Sequence, residues 1–283
     1  MERRRLVRVP ASSANLGPGF DSFAAALTLA LEVEVTATGS FSVETDLDLP
    51  ADRGNFVVQG FERLHPADDF GFRISSTIPL SGGLGTSAAS YVAGLLAADH
   101  IFELDAPVLE LATELDNAPD NSAASLMGGF VIAVDGDAVR FDPPDGLEGV
   151  LAVPREGVKT EQARAALPAE VSREDAVFNV AHASLLTLGL ATGDFELVSR
   201  GLEDRLHQDA RSHLYPRSAE LLRQARDTGA LGATISGAGP TVLAWTSYET
   251  TGAVVDRLSE LADGWASVQR VGFEPSGADV SEL

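Results

Sequence analysis

The chain contains no cysteine. Disulfides, zinc–thiolate sites, iron–sulfur clusters and cysteine nucleophiles are therefore excluded. Lysine is almost as scarce: Lys159 stands alone, and every other basic side chain apart from histidine is arginine. A Walker phosphate loop ends in lysine, and Lys159 lies far from any glycine-rich run, which excludes that class of nucleotide binder. No stretch approaches the roughly 20 apolar residues that cross a bilayer. The charged start, Met1-Glu2-Arg3-Arg4-Arg5, is followed by no apolar signal core, because Arg8 and Pro10 interrupt the short run, so no secretory signal is expected. The histidines, His65, His100, His182, His207 and His213, show no metal-ligand spacing, and no Gly-x-Ser-x-Gly elbow is present to start a hydrolase triad. Positive charge is in deficit: 20 Lys plus Arg face 42 Asp plus Glu, a net charge of −22. Such a chain lacks the basic face that nucleic acid or an anionic membrane requires. The expected partners include neither, and the expected location is the cytoplasm.

What is present is ample for a core. The 283 residues are 45% hydrophobic, comfortable for two domains of ordinary size. Leu6 to Ser13 reads as a strand, Glu32 to Thr36 alternates as another, and Phe41 to Thr45 as a third. Ala24 to Leu31 is helix or buried strand on period alone. Asn55 to Leu64 has helical spacing, and Phe72 to Ser76 is a strand. Helices are expected from Ala88 to His100 and Ala106 to Leu115, and a hairpin over Phe130 to Phe141. Pro143-Pro144-Asp145-Gly146 is the strongest punctuation, dividing the chain into residues 1–149 and 150–283. Beyond it, Val150 to Val153 is a strand, and Thr160 to Leu167 a helix with Thr160 as its N-cap. Ala176 to Ala191 and Phe195 to Leu202 are helical, Leu206 to Pro216 is loop-like, and Pro216 to Thr228 is an amphipathic helix. Short strands at Gly232 to Ile235 and Thr241 to Trp245, a helix from Thr250 to Leu261 and a strand from Val268 to Phe273 complete a mixed α and β pattern.

Three stretches carry chemistry. The first is Pro79-Leu80-Ser81-Gly82-Gly83-Leu84-Gly85-Thr86-Ser87-Ala88-Ala89-Ser90, a glycine-rich loop entering a helix. Its backbone and the helix N-terminus suit a phosphate, and Thr86 and Ser87 suit magnesium on a triphosphate; a plain turn before a helix is the alternative. The second holds Asp116, Asp120 and Asn121, able to hold magnesium and orient an acceptor hydroxyl, unless Asp120 merely caps a short helix over Ser122 to Leu126. The third, Ser236-Gly237-Ala238-Gly239-Pro240-Thr241, either presents N–H groups to a ligand or is a hairpin turn. Arg164 and Arg211 are candidate carboxylate clamps.

These three stretches, in this order, resemble the GHMP kinase superfamily. Pro79 to Ser90 looks like its ATP loop. Within it, Pro10-Ala11-Ser12-Ser13-Ala14-Asn15-Leu16-Gly17-Pro18-Gly19-Phe20-Asp21 and Gly232 to Thr241 are similar to the opening and closing signatures of the homoserine kinase family. Val158 to Arg164 and Asp209-Ala210-Arg211 resemble its amino-acid-binding segments. The resemblance implies a two-domain α+β fold, ribosomal-protein-S5-like in the first half and ferredoxin-like in the second. It implies ATP and Mg2+, with phosphoryl transfer to the side-chain hydroxyl of L-homoserine in threonine biosynthesis, and a homodimer. It places Asn15, Asp21, Asn121, Thr160, Arg164, Arg211 and Gly237 around a small amino-acid substrate, Thr86, Ser87 and Asp116 on the metal, and Thr86, Asp120 and Asn121 in catalysis. Two positions depart from the pattern: Asp116 stands where glutamate is usual, and Ala118 where histidine is usual. The alternatives are another kinase of the superfamily, acting on threonine, shikimate or an isoprenoid alcohol, and a weakened nucleotide-binding relative.

Overall fold

The computed structural model describes residues 4–80 and 82–283. Its first sheet has strand order β11-β1-β2-β4-β3, with β5 pairing β2 and β6 pairing β5. These are β1 (Arg4–Ala14), β2 (Phe23–Ala37), β3 (Ser42–Thr45), β4 (Phe70–Ser76), β5 (Phe130–Val134), β6 (Asp137–Phe141) and β11 (Asp279–Glu282). All pairs are antiparallel except β3 with β4. The ambiguous run from Ala24 to Leu31 is strand, part of the 15-residue β2. Its apolar stretch Ala24 to Leu27 alternates with no polar residue because both faces are covered there, whereas Thr28 is exposed. Pro10 sits inside β1 because the register shifts between Pro10 and Ala11, beyond the Arg5–Arg8 segment that pairs with β11. A bulge tolerates the missing N–H.

Four helices accompany this sheet: α1 (Phe56–Glu62), α2 (Thr86–Phe102), α3 (Val108–Asp116) and α4 (Pro119–Met127). Buried Phe61 centres the core, with ring centroids 5.0 Å from Phe70 and 5.2 Å from Phe72. Helix α2 is buried nearly all round, which its run of Ala, Val and Leu allows. That burial fixes where its first turn points, and its first turn opens into the cleft described below.

The second sheet has order β10-β7-β9-β8, all antiparallel. Its strands are β7 (Leu147–Pro154), β8 (Gly232–Ile235), β9 (Val242–Ser247) and β10 (Ala266–Gly272). Taken in chain order this is 4-1-3-2, the ferredoxin-like arrangement. Helices α5 (Thr160–Ala165), α6 (Arg173–Thr192), α7 (Phe195–Gly201), α8 (Gln208–Arg211) and α9 (Pro216–Gln224) lie between β7 and β8, and α10 (Thr251–Leu261) between β9 and β10. The packed rings of Phe130, Trp245 and Phe273 join the two sheets, with centroids 4.9 to 5.9 Å apart.

Several expectations need correction. The two sheets do not divide at 149/150: β7 begins at Leu147, and β11, absent from the sequence reading, pairs back onto β1, where Arg5 meets Glu282 at 2.7 Å. The segment from Leu206 to Pro216 is not all loop. It contains α8, started by Asp204, whose carboxylate accepts from the backbone N–H groups of His207 and Gln208 at 3.0 and 2.8 Å. The N-cap of α5 is Lys159, not Thr160. Among the described residues, no helix is long and apolar enough to cross a membrane.

Candidate active site

A cleft of about 790 Å³ opens between the two sheets' domains. It gathers residues from all three stretches. Asn15, Asp21, Leu80, Gly82 to Ser87, Ser90, Asp116, Asp120, Asn121, Thr160, Arg164, Arg211 and Gly237 line it. Pro79 does not, and Ala88 and Ala89 are fully enclosed in the core, so their part in the motif is packing against the sheet. Ser81 lies outside the described residues.

The glycine loop is shaped by close approach. Gly85 is the N-cap of α2 in the left-handed region, φ 69° and ψ 22°, and a Cβ there would collide with Ser12 Oγ. Gly83, φ 74°, passes against the backbone of Ser236 and Gly239. With Gly85 as cap no side chain satisfies the first turn of α2. Its N–H groups and positive dipole end therefore face the cleft, an arrangement that binds phosphate. The Ser90 hydroxyl is committed to the Thr86 carbonyl at 2.8 Å. Thr86 and Ser87 keep theirs at the cleft.

The third stretch is a clasp. Ser236 Oγ donates to the Gly83 carbonyl at 2.7 Å and, its one proton so used, accepts from the Ser13 hydroxyl at 2.8 Å. The Gly237 N–H donates to the Ala14 carbonyl at 3.1 Å. Asn15 Nδ2 donates to the Gly237 carbonyl at 2.8 Å, while Asn15 Oδ1 accepts from the Asp21 N–H at 2.9 Å. One end of the Asn15 amide thus holds the opening signature to the closing one, and the other end braces the opening turn.

The acidic side of the cleft comes from α3 and α4. Asp116 ends α3, and the Ser87 hydroxyl hydrogen-bonds to its Oδ1. Asp120 does not cap α4: Ala118 holds that position, Pro119 opens the helix, and Asp120 sits in its first turn, its Oδ1 accepting from the Asn121 N–H at 2.8 Å. Asn121 Oδ1 accepts from Ser12 Oγ at 2.8 Å, which orients its Nδ2 donor. Burial, with Asp120 nearby, pushes Asp116 up to about 6. Burial also pushes Asp120 up to about 6, against the lowering effect of its own hydrogen bond and reinforced by Asp21. Both folded values exceed the usual 3.8, so the folded chain binds protons more tightly than the unfolded one between about pH 4 and 6. Stability from these groups is therefore lost as pH rises through that window. Asp116→Asn is expected to raise stability by about 1–3 kcal/mol at pH 7.5 in EDTA while lowering kcat. Thermal melts check this; a lower melting temperature in the variant contradicts it.

The donor set fits a hard cation. Two carboxylates destabilised by their own charge, with hydroxyls at Thr86 and Ser87, are oxygen ligands of the kind magnesium prefers. Among the described residues no three His, Cys, Asp or Glu side chains group as a self-sufficient metal site. Magnesium fits here only in company with phosphate oxygens, its usual partners.

The opposite wall is cationic. Arg164 and Asp21 form a two-pronged pair across 143 residues, Nη1–Oδ2 2.9 Å and Nη2–Oδ1 3.1 Å. Their side chains are 41% and 43% exposed, so the pair contributes about 0–1 kcal/mol and yields readily to a ligand. Arg211 is different. It is 2% exposed, and among the described residues no carboxylate lies within ion-pair distance of it. Burial pushes its pKa down, but a guanidinium remains charged. A buried cation beside a cleft, with Asp21 and Asp204 acting on it only from beyond ion-pair distance, is a site for an anion.

Sequence reasoning missed one wall. Asp48, Leu49, Pro50, Gly54, Asn55 and Phe56 also line the cleft, where the sequence showed only a polar connection and a helix start. Phe56 is 44% exposed and stacks on Tyr91 at 4.9 Å, a flat apolar surface whose only signal was an aromatic at the first turn of α1.

An S5-like domain and a ferredoxin-like domain, with a glycine loop and an uncapped helix N-terminus in the cleft between them, define the GHMP kinase class. The chain matches the family models "GHMP kinases N terminal domain" over residues 55–129 and "GHMP kinases C terminal" over residues 186–263. It is 38% identical to the homoserine kinase of Moorella thermoacetica over 256 residues, covering 85% of this chain and 86% of that one. It is 40% identical to the homoserine kinase of Deinococcus radiodurans, covering 84% and 82%. The crystal structure of homoserine kinase from Cytophaga hutchinsonii superposes with a TM-score of 0.89 at 28% identity, covering 99% of this chain and 98% of that one. The chain belongs to the homoserine kinase family of the GHMP kinases.

Proposed function

We propose that this protein transfers the γ-phosphoryl group of ATP to the side-chain hydroxyl of L-homoserine, giving ADP and O-phospho-L-homoserine for threonine biosynthesis. The observation that carries the acceptor assignment is Arg211, a buried guanidinium lacking a carboxylate partner, in one cleft with the open N-terminus of α2. A zwitterionic amino acid matches this wall. Its α-carboxylate takes Arg211 and Arg164, its α-ammonium takes Asp21, and the weak Arg164–Asp21 pair opens to receive both. Thr160 lines the same wall.

The glycine loop and the first turn of α2 hold the triphosphate. Asp116, Thr86 and Ser87 would hold Mg2+, which when bound neutralises triphosphate charge. Asn121, oriented by Ser12, positions the acceptor hydroxyl for in-line attack. The oxygen–phosphorus bond to homoserine forms as the β,γ-bridging bond breaks, and ADP carries away the electron pair. The hydroxyl proton passes to the transferred phosphoryl group as the new oxygen–phosphorus bond forms. Positioning and charge suffice for most of this barrier.

An ADP-release assay over an acceptor panel tests the reading. L-Homoserine is expected to give the highest kcat/KM, with the deaminated and decarboxylated analogues about 10²- to 10³-fold lower, because each leaves a charged group of the wall unmatched. Ala118 lines the cleft with only a methyl group, so L-threonine belongs in the panel as the second candidate acceptor. Turnover of a sugar or isoprenoid alcohol above homoserine contradicts the assignment.

The same reading takes the protein as a cytoplasmic homodimer that binds no nucleic acid. The exposed apolar residues Val177, Val180 and Leu188 on α6 support a second copy, and sedimentation as a monomer at micromolar concentration contradicts it. We also take Pro143 to Gly146 as the functional boundary, with nucleotide bound mainly by the first domain.

A further inference from the structure

Arg211 is held by groups to which the reaction assigns no part. Its Nε–H donates to the Ala163 carbonyl at 3.0 Å. Its Nη1 lies 3.3 Å from His207 Nδ1 and 3.4 Å from the Gly237 carbonyl. The Phe20 ring lies under the guanidinium, 5.2 Å away. Nη2 has no hydrogen-bond partner among the described residues, on a side chain that lines the cleft.

His207 is 1% exposed, one residue before α8. Its Nε2 lies 2.8 Å from the Gly17 carbonyl, which can only accept, so Nε2 carries the proton. Nδ1 then holds a lone pair, and the Arg211 guanidinium, which can only donate, points at it. The imidazole is itself fixed. Asp204, whose side chain has no exposure, accepts from the backbone N–H groups of Leu206, His207 and Gln208 at 2.8 to 3.0 Å and from Asn179 Nδ2 at 2.8 Å. Asn179 Nδ2 also donates to the Pro18 carbonyl at 3.2 Å. The turn at Gly17–Pro18, the imidazole and α8 are therefore one braced unit, and its one outward-directed lone pair is spent on Arg211.

We propose that His207 is a positioning residue: as the Nε2–H tautomer it fixes the plane of the Arg211 guanidinium through Nδ1, leaving Nη2 as the edge offered to the substrate carboxylate. The kinetic part of this inference rests on the homoserine reading; the tautomer does not. A role confined to bracing the Gly17 turn would need only Nε2.

Three variants and one spectrum separate these roles. His207→Leu is expected to raise KM for homoserine about tenfold or more and to change KM for ATP less than about twofold. In His207→Asn the amide oxygen takes the place of Nδ1, and KM for homoserine is expected to recover most of the way. In His207→Gln the amide nitrogen takes the place of Nε2, which restores the Gly17 bond and leaves KM raised. Better rescue by glutamine than by asparagine, or equal rises in both KM values, overturns the proposal. The Asn–Gln comparison stands even if the leucine variant fails to fold. Long-range proton–nitrogen correlation on the wild type, without substrate, is expected to show protonated Nε2 and bare Nδ1; the opposite tautomer overturns the proposal. Failure of the wild type to turn over homoserine counts against the functional reading, and the tautomer then decides this inference alone.

Discussion

Arg211→Leu is expected to lower kcat/KM for L-homoserine about 10³-fold while changing KM for ATP less than about twofold. The side chain is 2% exposed, and its Nη2 edge is uncommitted. A charge-assisted hydrogen bond to a carboxylate contributes about 1.5–3 kcal/mol, and its removal also leaves the incoming carboxylate in a partly desolvated pocket. Those two effects together reach about 4 kcal/mol, which is about 10³-fold. Leucine fills most of the volume against Phe20, so the fold is retained. The triphosphate side is separate: it is built from Gly82 to Ser87, and Arg211 donates to none of its atoms. Steady-state kinetics with each substrate varied in turn checks the split. A parallel rise in both KM values contradicts the placement of Arg211 at the acceptor.

Gly85→Ala is expected to lower kcat about 10³-fold or more, because it damages the nucleotide side and the acceptor side at once. At φ 69° an L-residue is strained, at a cost of about 1–2 kcal/mol. The larger effect is steric. The new methyl group would collide with Ser12 Oγ and approach Asn121 Oδ1 to 3.1 Å, displacing the Ser12–Asn121 hydrogen bond of 2.8 Å. The first turn of α2 shifts, and Asn121 loses its orientation. Thermal melting should show a loss of about 1–3 kcal/mol with the chain still folded. Wild-type turnover in this variant would mean that the loop does not set the phosphate site.

Local chemistry was legible in the sequence wherever the fold needs it locally. The glycines of the loop, the small hydroxyl residues that follow and the apolar run of α2 announce a loop entering a buried helix. The two short strands around Ser236 to Thr241 announce β8 and β9, one side of the second sheet. What was not legible depends on partners far along the chain. Asp21 and Arg164 are each placed by resemblance around the substrate, but nothing in the sequence shows that they pair with each other across 143 residues. Asn15 and Gly237 read as ligands, yet their polar atoms clasp each other across the domains. The alternative reading of Asp120 as a cap fails because Pro119 starts the helix three residues before Ser122 and Ala118 takes the boundary. Helix α8 was missed because its start depends on Asp204, a residue ahead of the helix whose carboxylate substitutes for a cap. The burial of Arg211, the strongest pointer to an anionic acceptor, has no trace in any period or motif.

The most direct test of the account is product identification. Purified protein is incubated with ATP, magnesium and L-homoserine, and the reaction is followed by phosphorus NMR with mass spectrometry of the amino acid. The account predicts stoichiometric formation of ADP and a phosphomonoester on the side-chain oxygen of homoserine. ADP formation without phosphohomoserine, or phosphohomoserine formed more slowly than the phosphorylated product of another alcohol, would contradict it.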